Sequence, residues 1–290
     1  MGRIPTLLVS AILLLSSSIV YGASAQTVLP DVELECQQEA FLEVYPGSTR
    51  TGFYYCTVRN PTAYSEEVEI QISSDVLQSS GPETMSLAPN GETDIVINLR
   101  GEQGMDAQSM SIATMATVVS ANGIDVTALP EASDTADTTA VILQYSAPTI
   151  QLTEAEITIE SGQDYDYNVI YGNNGNGDTD KMLIGISSGN LDDLETAGFS
   201  ILSILENIEI ESGQSATVKW EIRAPEGITT EESYQIEFYV TSDFSCRSEG
   251  LCNTQYVMLT VRVTPEPDEG GSVSFADNST IPFFAIGGGV

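Results

Sequence analysis

The residues whose types and spacing could do chemistry lie in one short stretch, NNGNGDTD at 173–180. Asn174, Asn176, Asp178 and Asp180 fall on alternating positions with small residues between them. Calcium takes six to eight oxygen ligands, and alternating acid and amide side chains open the loops that hold it. The closing glutamate of an EF-hand would fall at Gly185, so that motif is not completed. The same residues suit a tight turn between strands, where Asn and Gly supply positive φ. Both readings stay open, with calcium the single candidate cofactor.

Other chemistries are narrowed by composition. The chain has no histidine, which removes the commonest general base, the Ser-His and Cys-His nucleophiles and most zinc sites. A Ser-Lys pair would need Lys181 or Lys219, yet no S-x-x-K occurs, and Lys219 alternates with Val218 and Trp220 as an outward strand residue. With 42 acidic residues, a carboxylate pair for glycoside hydrolysis arises by chance, and nothing marks one. No phosphate-binding glycine loop is present. No catalytic residue is assigned, and a non-enzymatic protein is expected. Tyr165, Tyr167 and Tyr171 share a strand face, with Phe53 and Tyr54 earlier in the chain. They suit either a sugar platform or core and rim packing, and packing is favoured.

The four cysteines point to an oxidising compartment. Cys246 and Cys252 flank RSEGL and suit a bridge across a hairpin tip, which leaves Cys36 for Cys56. Four cysteines allow three pairings, and the local one is favoured.

The elements that must position these residues repeat. Strand, turn at Pro46-Gly47, strand through Tyr54 and Cys56, VEIQISS and a strand pair joined at Pro89-Asn90-Gly91 make the first copy. Strand, turn at Ser161-Gly162, strand through Tyr167 and Val169, MLIGISS and a pair joined at Ser212-Gly213 make the second. Period-two alternation runs through both, as in Val68, Ile70, Ile72 and Val218, Trp220, Ile222. Residues 129–139 read as a solvated loop, and 191–205 as a helical turn or long loop. Short strands with turn punctuation predict an all-β fold of two tandem Ig-like antiparallel β-sandwiches, over 28–147 and 148–264. Recognition is expected at loops 129–139, 172–180 and 189–199.

The ends read differently. Residues 1–25 have the form of a secretory signal: Arg3, an apolar run over 6–20 and the small-residue site Ala23-Ser24-Ala25. Its removal takes one base and no acid, leaving 8 basic against 42 acidic residues, net −34. Such a surface repels nucleic acid and anionic lipid headgroups and suits high salt. Residues 265–280 form an acidic linker carrying the glycosylation sequon at Asn278, and 281–290 are apolar. Ten residues do not span a bilayer, so the tail is either a short apolar end or, the reading favoured, the start of a membrane anchor continuing past residue 290.

In the second copy, I-x-I-x-S-G (157–162), Y-N-V-I-Y-G-N-N-G-N (167–176), I-E-I-E-S-G-Q-S (208–215), A-P-E-G (224–227) and Y-Q-I-E-F-Y-V (234–240) together resemble CARDB-type modules. They are also similar to the NEW-type sandwiches beside alpha-galactosidase modules and to Ig-like repeats of archaeal surface proteins, halophilic or marine. The resemblance implies stalks, spacers and adhesive or sugar-binding accessories. The expected function is therefore a non-catalytic spacer or interaction protein, secreted or tethered at the cell surface, whose partner is a surface protein or glycan. Two alternatives stand beside it: an accessory carbohydrate-binding module of a larger enzyme, and a subunit of a surface lattice or filament.

Overall fold

The computed structural model describes residues 29–128, 132–203 and 205–266. The signal segment, Asn278 and the apolar tail lie outside these residues.

Ten strands form the first copy: β1 (Glu33–Cys36), β2 (Glu39–Leu42), β3 (Thr51–Arg59), β4 (Glu66–Ser73), β5 (Gln78–Ser80), β6 (Thr84–Leu87), β7 (Glu92–Arg100), β8 (Ser109–Ala121), β9 (Ile124–Asp125) and β10 (Ser133–Ile142). They make two sheets, ordered β1-β3-β7-β5 and β2-β10-β8-β4-β6, with β9 paired to β8. The second copy has β11 (Pro148–Leu152), β12 (Glu156–Glu160), β13 (Asp164–Asn173) and β14 (Thr179–Ile186). Helix α1 (Ser188–Thr196) follows, then β15 (Ser200–Ser203), β16 (Asn207–Glu211), β17 (Ser215–Arg223), β18 (Glu232–Ser242) and β19 (Thr254–Thr264). Its sheets are β11-β13-β17-β15 and β12-β19-β18-β14-β16. The two orders correspond strand for strand. The fold is a pair of Ig-like sandwiches.

In the second copy a pairing departs from the antiparallel expectation. β12 runs parallel to β19, in register from Glu156 with Thr260 to Glu160 with Thr264. β11, only a few residues earlier, pairs antiparallel with β13 in the other sheet. The chain thus crosses between sheets at 153–155, which lets its first segment serve both edges.

By packing, the described chain falls into two compact units. One comprises 29–39, Phe53–Asn98 and Ser111–Thr139; the other comprises Ala40–Gly52, Leu99–Met110 and 140–266. In the first unit Tyr54 and Thr114 hydrogen-bond through their hydroxyls at 2.7 Å, fully buried, joining β3 to β8. In the second, Phe238 of β18 meets Tyr167 at 6.2 Å and Trp220 at 5.1 Å between ring centroids, joining β18 to β13 and β17. Aromatic contacts of this kind add to the area they bury.

One local expectation is corrected and another is met in part. Residues 133–142 are strand β10, not loop: Thr138, Ala140 and Ile142 are buried while the acids Asp134 and Asp137 stay outside the core. The segment is poor in large apolar residues because its inward side chains are small. The uncertain stretch 191–205 divides into the end of α1, which buries only Leu194, and the short strand β15.

Each copy buries one asparagine where its long central strand ends. Asn60 donates through Nδ2 to the carbonyls of Tyr64 and Ala88 and accepts from the Thr62 N–H. Asn173 donates to the Ile210 carbonyl and accepts from the Gly175 N–H. Each side chain closes its own turn and ties it to the following hairpin. A buried acid also recurs: Glu66 opposite Leu87 on β6, and Asp180 opposite Ile210 on β16.

Glu66 is 2% exposed. Its Oε1 accepts from Thr62 Oγ1 at 2.9 Å and the Asp31 N–H at 3.3 Å, while Oε2 has no hydrogen-bond partner. Burial raises its pKa above the usual carboxylate value, and the two hydrogen bonds only partly offset this. The folded state therefore holds this proton more tightly than the unfolded chain. Ionisation of Glu66 opposes folding once the pH rises through the raised value. Glu66→Gln is expected to raise the urea midpoint near pH 7, and the gain should vanish below about pH 4.5, the unfolded carboxyl value. A gain independent of pH would contradict this account.

Candidate binding surface

The 172–180 turn is mostly inside the protein. Gly172, Asn173, Gly175, Asn176, Gly177 and Asp180 are buried, and only Asn174, Asp178 and Thr179 are exposed. Asn176 Oδ1 accepts the Tyr145 N–H at 2.7 Å, and its Nδ2 donates to the carbonyls of Met105 and Leu143 at 2.9 and 3.1 Å. Glycine is required at 175, where the obstacle is backbone, whereas at 177 it is a flexible side chain. A Cβ at Gly175 would lie 2.6 Å from the Tyr145 carbonyl oxygen, and one at Gly177 would lie 2.2 Å from the Gln144 amide nitrogen. Asp180 belongs to a separate network, accepting from Ser242 Oγ and, at 3.3 Å, from the Phe244 N–H.

A calcium ion at this turn would need the oxygens of Asn176 and Asp180, and both already accept from protein donors. Among the described residues no group of three or more acidic or cysteine side chains gathers as a metal-holding set. The sequence pattern that suggests an ion here serves as a polar plug for the 105–107 and 143–147 backbone.

Both local disulfides are present, Cys36–Cys56 and Cys246–Cys252. The first joins directly opposed residues of β1 and β3. The second closes a π-helical turn, Ser245–Glu249, at the β18–β19 tip. That tip presents Glu249, whose carboxylate accepts the Ser146 N–H at 2.9 Å and its hydroxyl at 3.0 Å, while Asn253 donates to the Ser146 carbonyl at 3.1 Å.

The tyrosines singled out in sequence face inward: Tyr54, Tyr167 and Tyr171 are buried and Tyr165 is half-buried. Burial holds the Tyr171 phenol far above its ordinary pKa, so it stays neutral. Phe53 alone of the residues singled out is exposed, its ring 5.7 Å from that of exposed Tyr55 on β3. A second aromatic pair, half-buried Tyr239 and exposed Tyr256, lies on the outer face of the β12-β19-β18-β14-β16 sheet. Gly185, Tyr239 and Tyr256 are direct cross-strand neighbours in one row across β14, β18 and β19. A Cβ at Gly185 would lie 2.6–2.7 Å from the Tyr239 ring, so the ring rests on the bare glycine backbone. Tyr256 is 59% exposed, its ring centroid 6.4 Å from that of Tyr239.

The next row pairs Thr241 with Thr254, whose hydroxyls hydrogen-bond at 2.8 Å. Ser187 and Ser188 close the end, where α1 begins without a side-chain cap. These residues and Ile186 line a groove of about 340 Å³. No charged side chain lines it. Sequence reading passed over the pair because Ile236, Phe238 and Val240 mark β18 by its inward parity. The outward residues meet only once the strand order is known.

The charged counterpart is on β13 and β17. Lys219 bonds Asp166 at 2.7 Å and Glu221 at 3.6 Å, and Arg223 bonds Asp164 and Glu226 at 3.5 and 3.1 Å. Asp164, Asp166, Lys219, Glu221 and Arg223 line, with Ser200 and Leu202, a wide depression of about 490 Å³. Its cations are already neutralised by neighbours, which leaves little there for an incoming anion.

Among the described residues no helix is long and apolar enough to cross a membrane. No known family profile matches the chain, and no curated protein matches it. Solved structures do. Mouse clustered PcdhgC3 EC1-3 matches at TM-score 0.44 and 12% identity, over 82% of this chain and 68% of that one. Protocadherin Gamma C5 EC1-3 gives 0.43 and 10%, over 81% and 68%. A protein of unknown function from Porphyromonas gingivalis W83 gives 0.32 and 9%, over 80% and 99%. Likeness at this level transfers no partner, ligand or activity.

The buried turn gives a sharp contrast between neighbouring positions. Asn176→Ala strands two carbonyls and one N–H and is expected to cost about 3 kcal/mol. Asn174→Ala, at an exposed position, should stay within about 0.5 kcal/mol of the parent. Urea denaturation of the two variants checks the difference; equal losses would place the stabilisation in the turn backbone instead.

Proposed function

We propose that this is an exported, non-catalytic sandwich protein that presents an interaction surface at the cell exterior. The observation that carries the reading is the uncharged tyrosine groove on an outer sheet face of a chain with net charge −33. Protein surfaces this acidic repel most polyanions, and a neutral, aromatic concavity on one is a place where contact is favourable. The two local disulfides and the sequence features of residues 1–25 support export. The CARDB-type likeness of residues 157–240 and the acidic stretch 265–280 support a spacer held at a surface.

Produced with residues 1–25 in a host with a secretory pathway, the protein is expected outside the cytoplasm. Residues 1–25 should be gone, and no thiol should react before reductant is added. Retention in the cytoplasm with free thiols would overturn the export half of the reading. Hydrolysis of glycosides or esters that disappears on substituting a single carboxylate would overturn the non-catalytic half.

A further inference from the structure

We propose that the groove over Tyr239 and Tyr256 binds an uncharged saccharide. This rests on reading the protein as an interaction module and assigns that module its ligand class. Six of the seven lining residues carry a hydroxyl: Ser187, Ser188, Tyr239, Thr241, Thr254 and Tyr256. The chemistry is two-sided. Tyrosine rings offer flat apolar area with a polar tip, which suits the C–H face of a pyranose, and the surrounding hydroxyls suit its rim.

Two features select this ligand over others. The groove holds no cation, and the next outward neighbour on β18 is Glu237, so an acidic glycan or phosphate meets repulsion without compensation. The seat is preformed as well. Tyr239 lies against Gly185 and its cross-strand partner Tyr256, so one wall of the groove is set before ligand arrives. At about 340 Å³ the groove is at the small end of ligand sites, matching one or two sugar rings rather than a protein epitope.

Calorimetric titration of the intact protein with cello-, manno- and galacto-oligosaccharides, and with oligogalacturonate as the acidic control, tests this. At least one neutral series is expected to bind, with oligogalacturonate at least about tenfold weaker. Tyr256→Ala should weaken binding by roughly tenfold or more, and Tyr256→Phe by less than about threefold. Because Tyr256 is exposed, its alanine variant should keep the parent's urea midpoint, which separates lost binding from lost folding. The saccharide assignment falls if no neutral series binds at millimolar concentration, if oligogalacturonate binds as well, or if Tyr256→Ala binds unchanged. Cleavage of a bound oligosaccharide would overturn the non-catalytic reading while upholding the ligand. Absence of both binding and cleavage would overturn the ligand alone.

Discussion

Burial of alternate side chains beneath a surface of net charge −33 is the constraint to which the rest of the structure answers. Apart from buried Glu66 and Asp180, the strands turn their carboxylates outward, and like charges then face one another across neighbouring strands. The few cations sit where they interrupt this. Arg59 lies between Glu33 and Glu92, Lys219 between Asp166 and Glu221, and Arg262 between Glu156 and Glu231. Each such pair is exposed and contributes little by itself. Their common effect is to let acidic strands lie side by side, a need that concentrated salt also meets by screening.

The fold was largely legible because turns and inward residues carry their own signals. Asn90-Gly91 and Ser212-Gly213 punctuate equivalent hairpins, and Ile95-Ile97-Leu99 and Val218-Trp220-Ile222 mark the strands that follow. The elements that escaped lack those signals. β10 packs Thr138 and Ala140 inward, and α1 has one buried leucine in nine residues. The candidate site escaped for a different reason. Tyr239 and Tyr256 are 17 positions apart on outward parity, and only the pairing of β18 with β19 makes them neighbours. At 173–180 the composition was read correctly as polar and turn-forming, but what it faces depends on Met105, Leu143 and Tyr145, far off in sequence.

The internal repeat goes deeper than strand order. Asn60 and Asn173 close the same turn, and Tyr54 and Tyr167 each stand six residues before them. Glu66 and Asp180 then occupy the same register on β4 and β14. Polar residues at such positions are harder to exchange than apolar ones, since each is tied to particular backbone groups. What differs between the copies lies outside this frame: the bridge joining β1 to β3 in the first, and the plugging turn, α1 and the tyrosine row in the second.

The parallel pairing of β12 with β19 has a mechanical consequence. These are neighbouring strands near the entry and exit of the second copy, and they run in the same direction. Tension applied at the start of β12 and the end of β19 pulls the two strands past each other along their length. The ladder is then loaded in shear, all its bonds sharing the force, instead of being unzipped one bond at a time. A sandwich built this way resists being drawn out end to end.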